Sequence, residues 1–300
     1  MSLAYTEIAR NKRRSWLLLF LFIGLLMALG FFMGEFATAG AGVEGLIISA
    51  VVASIWVLIT VYQGGRITLS ASGAKPIEKR DNRELYNLVE NLSIAAGLPT
   101  PKIYVIQSAA LNAFATGRDP NHSAVAVTTG LMEKLDKREL EGVIAHELSH
   151  IGNFDTRLMM IVTALAGTVM IMADVFLRWT FYRRGGGGRR DGRLQLALMV
   201  VGVLLIIFSP IFATLIKLAI SRKREYLADA SGALLTRYPE GLASALEKIS
   251  SDHTPAHFAT KGTAHLYISN PLKAGTWSKW FSTHPPAQNR IAKLREMNLG

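Results

Sequence analysis

The 300-residue chain contains no cysteine, and only 18% of its residues are charged. The missing thiols exclude a disulfide scaffold, a zinc ribbon, a thiol nucleophile and an iron–sulfur cluster. Soluble domains average about 25% charged residues, so part of this chain must avoid water. Half of the residues are hydrophobic and the mean hydropathy is +0.27. This composition excludes intrinsic disorder and indicates a membrane protein.

Four apolar stretches are long enough to cross a bilayer as helices, which takes about 20 residues each. They are Trp16–Phe36, Val43–Tyr62, Arg157–Leu177 and Leu194–Leu215. The first two are separated only by a short Gly/Ala-rich loop and are predicted to form a transmembrane helical hairpin. Gly167, Asp174 and Pro210 weaken the other two as spans, so these are predicted as two further apolar helices that cross the bilayer or pack against protein.

The distribution of Lys and Arg predicts the orientation in the membrane. A basic cluster at 10–14 precedes the first stretch, whereas the loop after that stretch has neither Lys nor Arg. We therefore expect a multi-pass protein of the cell membrane with a cytoplasmic N-terminus. The loop Arg178–Arg193 conflicts with this, because its six arginines would lie outside if both later stretches crossed.

The same arginine loop contributes to a formal net charge of +11. It lacks aromatic residues interleaved at a stacking spacing and lies between two apolar stretches. We therefore expect it to contact the anionic headgroups of the lipid bilayer, and we expect no nucleic-acid partner.

The segments around the later stretches are predicted to be soluble and mixed. Helical spacing or β-rich composition predicts these elements: helices at Asn82–Ala96, from Asp136, and at Ser221–Arg237, Glu240–Ile249 and Gln288–Met297, with strands at Lys102–Gln107 and Ser123–Thr128. The fold class is therefore a mainly α membrane protein with a small α+β domain. The predicted domains are the hairpin (1–63), the soluble domain (64–156 and 218–300) and an insertion of two apolar helices joined by the Arg/Gly-rich loop (157–217).

The strongest chemical signal is His146-Glu147-Leu148-Ser149-His150, an HExxH motif. Residues four apart share one face of a helix, so both imidazoles can reach one metal ion. Zinc lowers the pKa of a bound water toward 7. Glu147 can accept the proton as that water attacks a peptide carbonyl, then donate it to the leaving amine. The motif predicts a zincin-like metallopeptidase domain in the cytosol with one Zn²⁺ per chain.

Catalytic zinc usually takes three protein ligands plus water. No histidine stands six residues after His150, where one metallopeptidase pattern would place the third ligand. The candidates are Glu225, Glu240, Glu247 and the later histidines. Glu225 is favoured because Asp229 lies one turn further along the same helical segment, where its carboxylate could accept a hydrogen bond from a ligand histidine.

Two other segments could line the site. Asn112-Ala113-Phe114-Ala115 lies between the two predicted strands, where a substrate could add as a further strand; an ordinary strand with Phe114 in the core is the alternative. His284, fixed before two prolines, could stabilise the oxyanion that develops during attack. A buried structural histidine is the alternative there.

The ordered set of motifs resembles the HtpX-type membrane-bound zinc endopeptidases, relatives of the CAAX prenyl proteases. Besides HELSH it comprises NAFA (112–115), VTTGL (127–131), EYLAD (225–229) and THPP (283–286). The resemblance implies that His146, His150 and Glu225 bind zinc and that Glu147 is the catalytic glutamate. It also implies proteolysis of misfolded or damaged membrane proteins at the cytoplasmic face, in envelope quality control, and it raises the question of self-cleavage.

Two alternatives remain open. An intramembrane zinc protease would need the HExxH motif inside an apolar span, but charged residues flank the motif on both sides. A non-enzymatic membrane adaptor would keep zinc for structure. Structural zinc usually has four protein ligands, so the adaptor would need a further one such as Asp229 or His284.

Overall fold

The computed structural model describes residues 2–162, 164–165, 168, 202, 222–256, 267–268 and 285–297. The predictions for the arginine loop and for His284 lie outside these residues. Most of the third apolar stretch, and all but one residue of the fourth, also lie outside the described residues. The two further apolar helices therefore stay predictions.

The chain packs as two units. Unit 1 contains Met1–Lys12, Gln63–Met160 and Ala219–Gly300, and unit 2 contains Arg13–Tyr62 and Ile161–Leu218. The predicted domain boundaries stay predictions. Residues 1–12, which the prediction grouped with the hairpin, pack with unit 1.

Two long helices, α1 (Ser2–Ala37) and α2 (Gly42–Ala71), contain the two predicted hairpin segments. Within them, Ile8–Glu35 and Gly42–Ala71 are long and apolar enough to cross a membrane. Large apolar side chains are exposed along both helices; Phe20 is 66% and Ile48 65% exposed. The chain therefore has two candidate membrane-spanning helices, and their exposed apolar surface is of the kind that lipid covers.

In unit 2, α1 and α2 approach each other through glycine. A Cβ on Gly30 would collide with the carbonyl oxygen of Gly45, and a Cβ on Gly45 would collide with that of Gly30. Small residues of this kind let helix backbones touch within lipid. Glu35 closes the turn between the helices, since its carboxylate accepts hydrogen bonds from the backbone N–H groups of Gly40 and Gly42, both at 3.1 Å.

Unit 1 contains a small mixed sheet with the strand order β1-β2-β4-β3. The strands are β1 (Lys75–Pro76), β2 (Lys102–Ile106), β3 (Ala113–Gly117) and β4 (Ser123–Thr128). β2 and β4 confirm the two predicted strands and run parallel, while β3 pairs antiparallel with β4. Among the described strands, β3 therefore lies at an edge of the sheet.

The remaining described helices of unit 1 are α3 (Arg83–Ala95), α4 (Thr129–Lys134), α5 (Lys137–Gly152), α6 (Arg222–Thr236), α7 (Pro239–Ser251) and α8 (Ala287–Arg295). They surround α5, which with α4 contacts the sheet. α5 begins where predicted because Asp136 and Glu139 form a reciprocal capping box. It packs against α6 and α7. Gly142 allows the contact with α7, since a Cβ there would lie 2.7 Å from the backbone nitrogen of Leu242.

Candidate metal centre

Helix α5 presents both histidines of the HExxH motif on one face. The Nε2 atoms of His146 and His150 lie 3.2 Å apart, and the two rings are perpendicular with centroids 4.7 Å apart. Zn–N bonds of about 2.0–2.1 Å in a tetrahedral site would separate two such atoms by roughly 3.3 Å. The spacing therefore fits two ligands of one metal ion.

Helix α6 brings Glu225 to the same point. Its carboxylate oxygens lie 3.9 Å from Nε2 of His146 and 3.6 Å from Nε2 of His150. One ligand atom from each of the three residues lies within 4.8 Å of the other two. Gly232 allows α6 to come this close to α5, because a Cβ there would lie 3.0 Å from the backbone nitrogen of His146. The structure thus brings the three predicted zinc ligands together.

Buried carboxylates hold the other nitrogen of each imidazole. Nδ1 of His146 lies 3.0 Å from Oδ1 of Asp229, and Nδ1 of His150 lies 3.0 Å from Oδ2 of Asp155. An ionised carboxylate only accepts hydrogen bonds, so each Nδ1 carries the proton of its bond and each Nε2 is the nitrogen that faces the metal point. Two histidines and one carboxylate are an ordinary catalytic zinc set, so these residues fit that ion.

The surrounding acids also make the centre attractive to positive charge. Burial lowers the pKa of His150, but the hydrogen bond to Asp155 and the negative charges of Glu225, Asp155 and Glu147 outweigh burial and raise that pKa to about 9. A centre that holds a proton so strongly at neutral pH is also suited to a divalent cation, which displaces the proton on binding.

Glu147 lies in dry surroundings and is only 3% exposed. Burial raises the pKa of its carboxyl group, as does Glu225, against the opposing effects of both histidines and of a hydrogen bond with the backbone of Ala115. A carboxylate with a raised pKa is a stronger proton acceptor, as a general base requires. The Ala115 bond also joins Glu147 to strand β3.

Arg290 on α8 is a functional candidate that the sequence analysis missed. Its Nε and Nη2 atoms donate to the two carboxylate oxygens of Asp229 at 2.8 and 2.6 Å, and its Nη1 lies 3.4 Å from Glu225. Burial raises the pKa of Asp229, but the charge and hydrogen bonds of Arg290, together with His146, hold it below its ordinary value. Asp229 therefore stays ionised where it supports His146. No sequence signal pointed to Arg290.

Asp155 was missed as well. It is 4% exposed, and besides the hydrogen bond with His150 its Oδ1 accepts one from Nη1 of Arg224 at 3.2 Å. The only signal in the sequence was its position five residues after His150. Each candidate histidine ligand therefore has its own buried carboxylate, and each carboxylate has its own buried arginine.

The predicted substrate segment, Asn112–Ala115, lies in β3 and just before it. Phe114 is fully buried and packs edge-on against Tyr267, with ring centroids 5.1 Å apart, so its side chain belongs to the core. The backbone N–H of Ile268 donates to the carbonyl of Ala113 at 3.1 Å. The segment is thus next to Glu147 through Ala115, and substrate binding along it stays a prediction.

Two of the other third-ligand candidates pair with a different residue. Glu240 and Glu247 lie at the surface and form ion pairs with Arg295 at 2.8 and 2.7 Å. His284 lies outside the described residues.

Comparison with known proteins agrees with this centre. The model of peptidase family M48 matches residues 79–298. A protease HtpX homolog of Tropheryma whipplei (strain Twist) is 44% identical over 293 residues, which cover 98% of each chain. One of Caldanaerobacter subterraneus subsp. tengcongensis is 43% identical over 297 residues, with the same coverage.

The crystal structure of S. mikatae Ste24p resembles the chain with a TM-score of 0.51 and 20% sequence identity, covering 96% of this chain and 67% of that one. At this identity the likeness supports the fold alone. The family match and the close relatives decide the classification: the chain belongs to peptidase family M48 and is an HtpX-type metalloprotease.

Proposed function

We propose that the chain is a membrane-anchored zinc endopeptidase with its active site on the cytoplasmic side. The observation that carries this proposal is the convergence of His146, His150 and Glu225 on one point, with each histidine Nδ1 held by a carboxylate. Membership of family M48 supports the peptidase reaction. The two candidate spans and the basic residues before the first apolar stretch support the anchoring and the orientation.

In the proposed mechanism His146, His150 and Glu225 hold the metal. When bound, zinc supplies Lewis acidity, which makes water easier to deprotonate and polarises a peptide carbonyl. Glu147 accepts the proton of the attacking water and delivers it to the nitrogen of the leaving amine. Asp229 and Asp155 keep the two imidazoles protonated on Nδ1 and fixed in orientation.

The proposed substrates are misfolded or damaged membrane proteins, in a role of envelope quality control. An extended chain of almost any sequence can add to a sheet edge through main-chain hydrogen bonds, which suits unfolded substrates. The edge position of β3 and the bond between Ala115 and Glu147 support binding there. Because Ile268 already donates to the Ala113 carbonyl, a substrate strand would pair beside Ile268 or replace it. Self-cleavage would use the same binding mode.

Cleavage of an unstructured protein by the detergent-purified chain tests the proposed function. We expect a chelator to abolish cleavage and added Zn²⁺ to restore it. Mg²⁺ serves as the control and should not restore activity, because it prefers all-oxygen octahedral sites. Tight binding of zinc without any cleavage would contradict the enzymatic role and favour the adaptor alternative.

We further propose that His284 donates a hydrogen bond to the oxyanion that develops on the scissile carbonyl. Loss of one such donor typically costs about 10²–10³-fold in kcat, so we expect His284→Ala to lower kcat by about that factor with zinc content unchanged. His253→Ala, at an exposed histidine, is the matched control. Unchanged turnover or loss of zinc in His284→Ala would contradict the proposed role of His284 as the oxyanion donor.

A further inference from the structure

We propose that Asn11, in the N-terminal part of α1, is a positioning residue for His150 and acts through Asp155. This inference rests on the proposed zinc site. All three residues belong to unit 1. Asn11 is fully buried, although the sequence places it within the basic segment Arg10–Arg14. A buried amide among exposed cations calls for a specific partner, because an unpaired polar group costs free energy on burial.

Asn11 finds that partner at the second layer of the metal centre. Its Nδ2 donates to Oδ1 of Asp155 at 2.8 Å and to the backbone carbonyl of Asn153 at 3.0 Å. The opposite oxygen of Asp155 holds Nδ1 of His150 at 3.0 Å. A single carboxylate, that of Asp155, therefore joins Asn11 to the metal-facing imidazole of His150. Asn11 lies more than a hundred positions before both residues in the sequence.

The turn that carries Asp155 is also held by the next residue of α1. Phe154 has a left-handed backbone, with φ of 59°, a conformation that bulky residues rarely adopt. Nζ of Lys12 lies 4.3 Å from the centroid of the Phe154 ring, a cation–π distance. Lys12 thus contacts Phe154, while Asn11 contacts Asn153 and Asp155. Two consecutive residues of α1 hold three consecutive residues of this turn.

The match at this position concerns the donor side of the amide, since Oδ1 of Asn11 is buried without a hydrogen-bond partner among the described residues. Oδ1 of Asp155 accepts from both Asn11 and Arg224, at 2.8 and 3.2 Å. Arg224 supplies the positive charge that offsets the buried carboxylate, so the remaining need is for a donor without further charge. An asparagine supplies two N–H donors in one plane, one for the carboxylate and one for the Asn153 carbonyl. Without it only Arg224, at 3.2 Å, would hold this oxygen of Asp155, so the carboxylate and the His150 imidazole would be held less firmly.

Zinc affinity of the full chain in detergent, measured by chelator competition, tests this role through a double-mutant cycle. Loss of a residue that supports a ligand typically costs about 10–100-fold in metal affinity. We expect Asn11→Leu, which keeps the size but removes the donors, to weaken zinc binding about tenfold. In an Asp155→Ala background the same substitution should change affinity by less than about twofold. The d–d absorption of bound Co²⁺ should shift in Asn11→Leu, because it reports ligand geometry.

Asn91→Leu, at an exposed asparagine of α3, is the matched control and should leave zinc affinity unchanged. Thermal unfolding of the metal-free chains identifies variants that fail to fold; if Asn11→Leu is one, Asn11→Ser takes its place in the cycle. Equal effects of the Asn11 substitution in both backgrounds, or an unchanged affinity and Co²⁺ spectrum, would overturn the role of Asn11. Zinc affinity that His150→Ala leaves unchanged would instead overturn the proposed zinc site, and with it this inference.

Discussion

Glu147→Gln is expected to lower kcat for peptide cleavage by about 10²–10⁴-fold, the contribution typical of a general base, while bound zinc stays at one ion per chain. The carboxamide has nearly the same size and can still accept the hydrogen bond from the Ala115 backbone, but it cannot take a proton from water. Because Glu147 is buried, replacing it with an uncharged side chain of the same shape breaks no contact with solvent. The fold should therefore survive.

The measurement pairs turnover of an unstructured protein with the zinc content of the same desalted sample. Glu133→Gln is the control, since it makes the same chemical change at an exposed glutamate of α4. Near-normal cleavage by Glu147→Gln would remove Glu147 from the mechanism. Loss of zinc in that variant would instead show that the side chain acts on the metal.

Glu225→Ala is expected to weaken zinc binding by more than about 100-fold, beyond the cost typical of residues that only support a ligand, and to abolish cleavage at limiting zinc. The substitution removes the only carboxylate among the three converging side chains. It also removes the negative charge 3.4 Å from Arg290, so the centre becomes less favourable for a cation in two ways.

Glu240→Gln and Glu247→Gln provide internal controls for this prediction, because the sequence offered both residues as third ligands. Both contact Arg295 at the surface, so neither change should alter zinc affinity. Zinc content after dialysis against a weak chelator distinguishes the three variants. Retention of zinc by Glu225→Ala would contradict the role of Glu225 as a ligand. Zinc loss from either control would indicate that the third ligand comes from α7.

The features of unit 1 that are determined by residues close together in the sequence were predictable. The spacing of HExxH on a helix placed His146 and His150 on one face, and the predicted helix start at Asp136 coincides with the residue that caps α5. The four-residue spacing of Glu225 and Asp229 gave one residue facing the metal point and one facing a histidine Nδ1. The β-rich composition of two short segments also predicted β2 and β4.

The residues that escaped prediction are those whose partners are distant in sequence. Arg290 contacts Asp229 across 61 positions and Asn11 contacts Asp155 across 144, and neither residue has a motif of its own. Such contacts depend on how α1, α5, α6 and α8 pack, which helical periodicity does not encode. Packing also supports Glu225, which the sequence already favoured over Glu240 and Glu247, because it brings Glu225 to the two histidines.

The spread of these residues along the chain also sets an order of events during synthesis. A ribosome adds about 5–20 residues per second, so both histidines of α5 exist for seconds before Glu225 is made. Arg290, which holds Asp229 against His146, follows 65 residues after Glu225. The metal centre therefore stays incomplete until Arg290 has been made. The proposed peptidase activity would therefore begin only after these residues have been added.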